Sequence, residues 1–179
     1  MSICHKVILV GDSNTGKAGI IHSFMGNSFG KDSSLASSYV KKTIDLEDNN
    51  SVDLIIWDTC GTLEYSSLNE IFYKNSKVVI FVFDFTNKKS FDDIKNYWYE
   101  EIKKYTKPDT IFVLLGNIGL CDKQEVDDYE AEEFAESIKA IFSVTFKGDY
   151  IGMNYLLEKI ARKIIEKLWK NKLEKYINF

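Results

Sequence analysis

The run Val7-Ile8-Leu9-Val10-Gly11-Asp12-Ser13-Asn14-Thr15-Gly16-Lys17 decides how the rest of the chain is read. Four consecutive branched apolar residues predict a buried strand, and the segment after them fits Gly-x-x-x-x-Gly-Lys. The glycines let backbone N–H groups turn inward around a phosphate. The helix expected next points its positive end at the same anion, and Lys17 adds a cation on a flexible stem. Asn14 tolerates the left-handed backbone that such a nest requires. The bland alternative is an ordinary glycine-bearing turn, but the strand-to-helix position is the context phosphate binding needs. The pattern then fails at Ala18, where a Ser or Thr would offer a hydroxyl to Mg²⁺.

Outward from this loop, short runs rich in Val, Ile and Phe recur at Val52 to Trp57, Val78 to Phe83 and Ile111 to Leu115. Polar turns and helical patterns follow them, which predicts an α/β fold with a mostly parallel sheet. Alternating segments around Asp48, Asn49 and Asn50 predict one antiparallel hairpin between Lys42 and Trp57. Ser90 and Asp93 have capping-box spacing, and Phe91, Ile94, Trp98 and Ile102 carry one apolar face of a helix from Ser90 to about Tyr105. A second helix is expected from about Gly152 onward, with Leu157, Ile160, Ala161, Ile164 and Leu168 as its apolar stripe. Its other face carries Lys159, Arg162, Lys163, Lys167 and Lys170 and reads as an ordinary solvated surface. Pro108 marks the exit from a helix toward the next strand. At the end of the Val52 to Trp57 run lie Trp57, Asp58, Thr59, Cys60 and Gly61. A strand-end Asp58 beside the phosphate loop can hold Mg²⁺ or its water shell, and Gly61 leaves room for a backbone N–H at a terminal phosphate.

Composition removes several classes of function. The 179 residues include 23 Lys plus Arg and 27 Asp plus Glu, a net charge of −4 that disfavours a nucleic-acid partner bound by bulk electrostatics. Three cysteines at Cys4, Cys60 and Cys121 form neither a disulfide framework nor a metal-ligand spacing, and they suit a reducing, cytoplasmic setting. The apolar runs fall far short of the ~20 residues a membrane span requires. With no repeat, linker or composition break, one domain over 1–179 is expected, its core at about 6–168 and a helical extension to 179.

Together these motifs resemble the Ras superfamily of small GTPases, and its Rab branch, from about Lys6 to Ile165. The phosphate loop has the Rab form, Trp57 to Gly61 is similar to the Rab Trp-Asp-Thr-Ala-Gly segment, and Phe83-Asp84, Thr86, Ser90-Phe91 and Trp98 to Ile102 follow at family-like spacing. The resemblance implies a six-stranded, mostly parallel sheet with about five helices, GTP or GDP as ligand, and Mg²⁺. The nucleotide-contacting positions it implies are Asp12, Ser13, Asn14, Thr15, Gly16, Lys17, Ala18, Gly19, Phe29, Ser34, Gly61, Asn117, Thr145, Phe146 and Lys147. Phe29 has the spacing of an aromatic that meets the base edge, though it could equally be core. Ser34 takes the place of the switch Thr that closes over Mg²⁺, and Asp58 would reach the metal through water.

The departures from the family fall on its chemistry. Ala18 predicts weak Mg²⁺ binding. Thr62 replaces the Gln that orients the attacking water, so hydrolysis is expected to be slow or absent. Gly116-Asn117-Ile118-Gly119-Leu120 stands where the family has Asn-Lys-x-Asp, and only Asn117 survives; Asp122 would substitute for the lost Asp only in a rearranged loop. Losing hydrogen bonds of ~1.5–3 kcal/mol each to a charged group weakens guanine preference ten- to a thousand-fold. Thr145-Phe146-Lys147 replaces the Ser-Ala-Lys loop, with Phe146 either crowding the base or facing the core. The aromatic triad by which Rab proteins meet effectors maps to Tyr39, Trp57 and Phe72. No cysteine follows Cys121, so no direct lipid anchor is expected in this chain, and any vesicle association would run through partners. The expected function is an atypical Rab-like nucleotide switch in vesicle traffic; the alternative is a pseudo-GTPase interaction module that needs no nucleotide.

Overall fold

The computed structural model describes residues 4–25, 39–47, 50–59, 72–119 and 123–177. Six strands, β1 (Cys4–Val10), β2 (Tyr39–Asp45), β3 (Ser51–Asp58), β4 (Val78–Asp84), β5 (Ile111–Ile118) and β6 (Ile141–Phe146), form one sheet in the order β2-β3-β1-β4-β5-β6. Only the β2–β3 pair is antiparallel, from Tyr39 opposite Trp57 to Asp45 opposite Ser51, as the hairpin reading expected. The other pairs are parallel, and the central β4 is buried from Val78 to Phe83 because helices cover both faces. The sheet thus separates two apolar layers. Ile20 and Phe24 join Leu156, Leu157, Ile160 and Ile164 on one side, and Phe81, Phe83, Phe91, Ile94 and Trp98 pack on the other.

Besides helical residues 72–73, four helices lie among the described residues. They are α1 (Lys17–Met25), α2 in three consecutive segments (Lys88–Asp93, Ile94–Trp98, Tyr99–Lys103), α3 (Asp128–Ser137) and α4 (Tyr150–Ile177). The apolar stripe of α2 is buried as its spacing predicts, but the capping box does not form. The helix starts two residues earlier, after Asn87, and the Ser90 hydroxyl donates to the Asn87 carbonyl while accepting from Asp84 N–H. Asp93 pairs instead with Lys89. The middle segment, Ile94–Trp98, is a π-helical turn, a form that concentrates at functional sites.

Helix α4 likewise begins earlier than its spacing suggests, with the Asp149 carboxylate accepting from Gly152 N–H at 2.8 Å. Its stripe is buried through Ile164, but Leu168 is exposed because the helix has by then passed the core. Lys167, expected in solvent, donates to the Asp109 and Thr110 carbonyls and ties α4 to the start of β5.

Candidate functional site

The carboxyl ends of β1, β3, β4, β5 and β6 converge on one edge of the sheet, where open α/β folds place their ligands. Residues 11–16 connect β1 to α1 with three left-handed positions, Gly11 (φ 146°), Asn14 (φ 67°) and Gly16 (φ 90°). Asn14 therefore adopts the conformation anticipated for it. A β-carbon on Gly11 would lie 2.2 Å from the Val82 carbonyl oxygen, and one on Gly16 would lie 2.2 Å from Asn117 Nδ2. Backbone angle reserves both places for glycine, reinforced by backbone crowding at Gly11 and by the Asn117 side chain at Gly16.

Lys17 opens α1 and folds back over the loop. Its Nζ donates to the carbonyls of Gly11 at 2.9 Å and Asp12 at 2.6 Å, and the side chain is nearly buried. The Thr15 hydroxyl donates to the same Asp12 carbonyl at 2.9 Å. Two longer-range bonds fix the loop from outside. Asn117 Nδ2 donates to the Thr15 carbonyl at 3.1 Å, joining the end of β5 to the loop across 102 residues of sequence. Trp98 Nε1, from the π-helical turn, donates to Asp12 Oδ1 at 2.7 Å. Burial raises the Asp12 carboxyl above the ordinary Asp range, Trp98 opposes that shift, and the neighbouring Asp93 adds to it. The sequence carried the helical spacing of Trp98 but no sign of its bond to Asp12.

Asp58 ends β3 beside the loop, and the next residue, Thr59, donates its hydroxyl to the Leu9 carbonyl at 2.5 Å. Asp58 Oδ1 is buried and has no hydrogen-bond partner among the described residues. Burial raises the Asp58 carboxyl, and the positive charge of Lys17 partly offsets this. A buried, orphaned carboxylate oxygen beside a phosphate loop fits the outer water shell of Mg²⁺. Ala18, in the first turn of α1, has no oxygen to enter the inner shell. Phe29, Ser34, Gly61 and Thr62 lie outside the described residues, as does Asp122.

Next to the loop a cleft of about 280 Å³ is lined by Asn14, Gly16, Gly19, Ile20, Asp84 and Asn117, and further by Ile118, Gly119, Phe146 and Lys147. Of the two readings left open for Phe146, the core is excluded: the ring is 56% exposed and borders the cleft. Thr145 and Phe146 are the last residues of β6 rather than part of a loop, and Thr145 is buried. Five wall residues, Ile20, Ser23, Asp84, Ile118 and Gly119, were not expected at the site; in sequence Ile118 is only the position of a missing lysine, and Asp84 only part of a resemblance. The Asp84 carboxylate accepts from Thr86 N–H and the Thr86 hydroxyl, each at 2.8 Å.

Over residues 6–166 the sequence matches the Ras family. The chain belongs to the Ras family. Within it, the chain is 33% identical over 162 residues to the human Ras-related protein Rab-22A, covering 89% of this chain and 82% of the relative. It is 34% identical over 166 residues to the Ras-related protein RabC of Dictyostelium discoideum, covering 90% and 84%. The chain is therefore a Rab-like small GTPase, as the resemblance implied. GTP or GDP with Mg²⁺ is the ligand set of that family.

On the far side of β1 the aromatic triad is contiguous. Tyr39 and Trp57 are register partners with ring centroids 4.9 Å apart, and Phe72 meets Trp57 edge-on at 6.1 Å. Tyr39 is exposed, whereas Trp57 and Phe72 are half-buried and lean on the aromatic layer of the core.

Proposed function

We propose that this Rab-like GTPase is an atypical guanine-nucleotide switch of vesicle traffic that holds Mg²⁺ weakly and hydrolyses GTP slowly or not at all. The observation that carries the reading is the paired geometry at the phosphate end. The loop holds three left-handed positions that turn its N–H groups inward, and beside it Asp58 presents a buried oxygen with no hydrogen-bond partner among the described residues. In this reading the backbone N–H groups of residues 12–17 and Gly19 at the cleft wall receive the phosphates. Lys17 balances their charge, and Asp58 orders the metal's water. Mg²⁺, when bound, supplies charge neutralisation between the terminal phosphates. Slow hydrolysis follows from Thr62, whose side chain is too short to orient the attacking water, and weak metal affinity from Ala18. Gly61, Phe29 and Ser34 retain the roles that the family resemblance assigns to their positions.

The whole chain acts as one G domain. Effectors or regulators dock on Tyr39, Trp57 and Phe72, where an exposed ring backed by two supported ones makes a low-entropy contact. No described helix is long and apolar enough to cross a membrane. In this reading the protein works in the cytoplasm and meets vesicle membranes through its partners.

One observation favours the scaffold alternative. The ammonium of Lys17 already has two carbonyl partners within the loop, so the loop holds its shape by internal bonds. Acid denaturation of the purified protein, with the released nucleotide identified by ion exchange, separates the two readings. GDP and GTP titrations with and without Mg²⁺ complete the test. Stoichiometric guanine nucleotide supports the switch; an empty protein with no affinity into the millimolar range supports the scaffold.

A further inference from the structure

The base end of the cleft is built from two side chains that stand next to each other. Ile118 ends β5 and Phe146 ends β6, and they are register partners in a parallel pair, so their side chains leave the same face at the same edge of the sheet. Both remain uncovered, at 47% and 56% exposure, and both line the cleft beside Gly119. Together they form an apolar ledge in the cleft that Asn14 and Gly16 of the phosphate loop also line.

Two of the polar atoms beside this ledge are engaged within the fold. The Asn117 amide donates to the Thr15 carbonyl, and Asp84 Oδ1 accepts twice from Thr86. A planar heterocycle whose phosphates occupy the loop would therefore lie with one face on Ile118 and Phe146. Every purine offers such a face, whatever its edge carries, so contact of this kind is tolerant of base identity. Edge reading works differently: it discriminates by leaving buried polar groups unpaired when the wrong base enters.

We infer that Ile118 and Phe146 hold the nucleotide by the face of its ring, and that the site accepts adenine and guanine nucleotides alike. The inference rests on the nucleotide-switch reading above for the phosphate end, and widens the ligand class of that site from guanine nucleotides to purine nucleotides with little base selection.

The test is an equilibrium titration of the whole chain, stripped of bound nucleotide, with GDP, ADP and UDP. GDP and ADP should bind within about ten-fold of each other, and UDP, with a smaller ring, at least about ten-fold more weakly. Phe146→Ala should weaken GDP and ADP by a common factor of about ten, and the milder Ile118→Ala should act in the same direction on both. A preference for GDP over ADP clearly above about ten-fold overturns this inference and leaves the switch reading standing. UDP binding as tightly as the purines, or a Phe146→Ala effect confined to one base, also overturns it. If none of the three diphosphates binds, this inference and the switch reading fall together.

Discussion

The two ends of the cleft share one sheet edge yet differ in what builds them. At the phosphate end the working groups are backbone N–H and carbonyl groups, shaped by Gly11, Asn14 and Gly16 and clasped by Lys17. At the base end they are side chains, those of Ile118 and Phe146. The contrast shows where a fold protects a site. The loop's shape is locked by crowding against Val82 and Asn117, so changing it would disturb β4 and β5. Exposed side chains at the ends of β5 and β6 support nothing beneath them and change without cost to the core.

The sharpest way to break this comparison is Lys17→Ala. If the phosphate end is intact, removing its cation should lower GDP affinity by more than about a hundred-fold, since each hydrogen bond to a charged group contributes ~1.5–3 kcal/mol. Unchanged affinity in a fluorescence titration would mean that phosphate is bound elsewhere.

Gly16→Ala tests whether the loop is locked by the fold. A left-handed alanine alone costs about 1–3 kcal/mol, and its β-carbon would also displace the Asn117 amide. Thermal unfolding should drop by several degrees, at roughly 2–4 °C per kcal/mol for a domain of this size. A midpoint equal to that of the natural protein would show that the loop is not under that constraint.

Ala18→Ser restores a hydroxyl to the first turn of α1 and should tighten GDP binding about ten-fold with Mg²⁺ present and not at all with the metal chelated. If the gain is the same in both conditions, the hydroxyl is not reaching the metal.

The smallest effect concerns the clamp from α2. Burial raises the folded-state pKa of Asp12. Its acid form is therefore favoured by folding, and that contribution, present below the ordinary carboxylate pKa, is lost as pH rises through the raised value. Asp12→Asn keeps an acceptor for Trp98 Nε1 without the charge. It should raise the unfolding midpoint slightly at neutral pH, and the gain should disappear on acidification to about pH 4. A gain that is constant across that range would assign the effect to something other than ionisation.

Much of this protein was legible in advance. The strand β1, the hairpin β2–β3, the buried stripe of α2 and the left-handed Asn14 all follow from periodicity and local stereochemistry, which neighbours in sequence determine. What failed locally failed for tertiary reasons. Ser90 looked like a cap, but its hydroxyl is drawn to Asp84 and Asn87, so the helix starts at Lys88. Leu168 fitted the α4 stripe in spacing, yet the sheet it would cover ends before it.

The residue pattern by itself determined the fold class and the existence of a phosphate loop, because both are written in short-range order: a strand, two glycines, a lysine and a helix. The loss of the Mg²⁺ hydroxyl at Ala18 was equally plain, since it is a matter of which atoms are present. Only the tertiary structure decided that Asn117 and Trp98 brace the loop from 102 and 86 residues away. It alone set Ile118 beside Phe146 as a ledge, because pairing between β5 and β6 fixes which side chains stand together, and no local rule encodes that register.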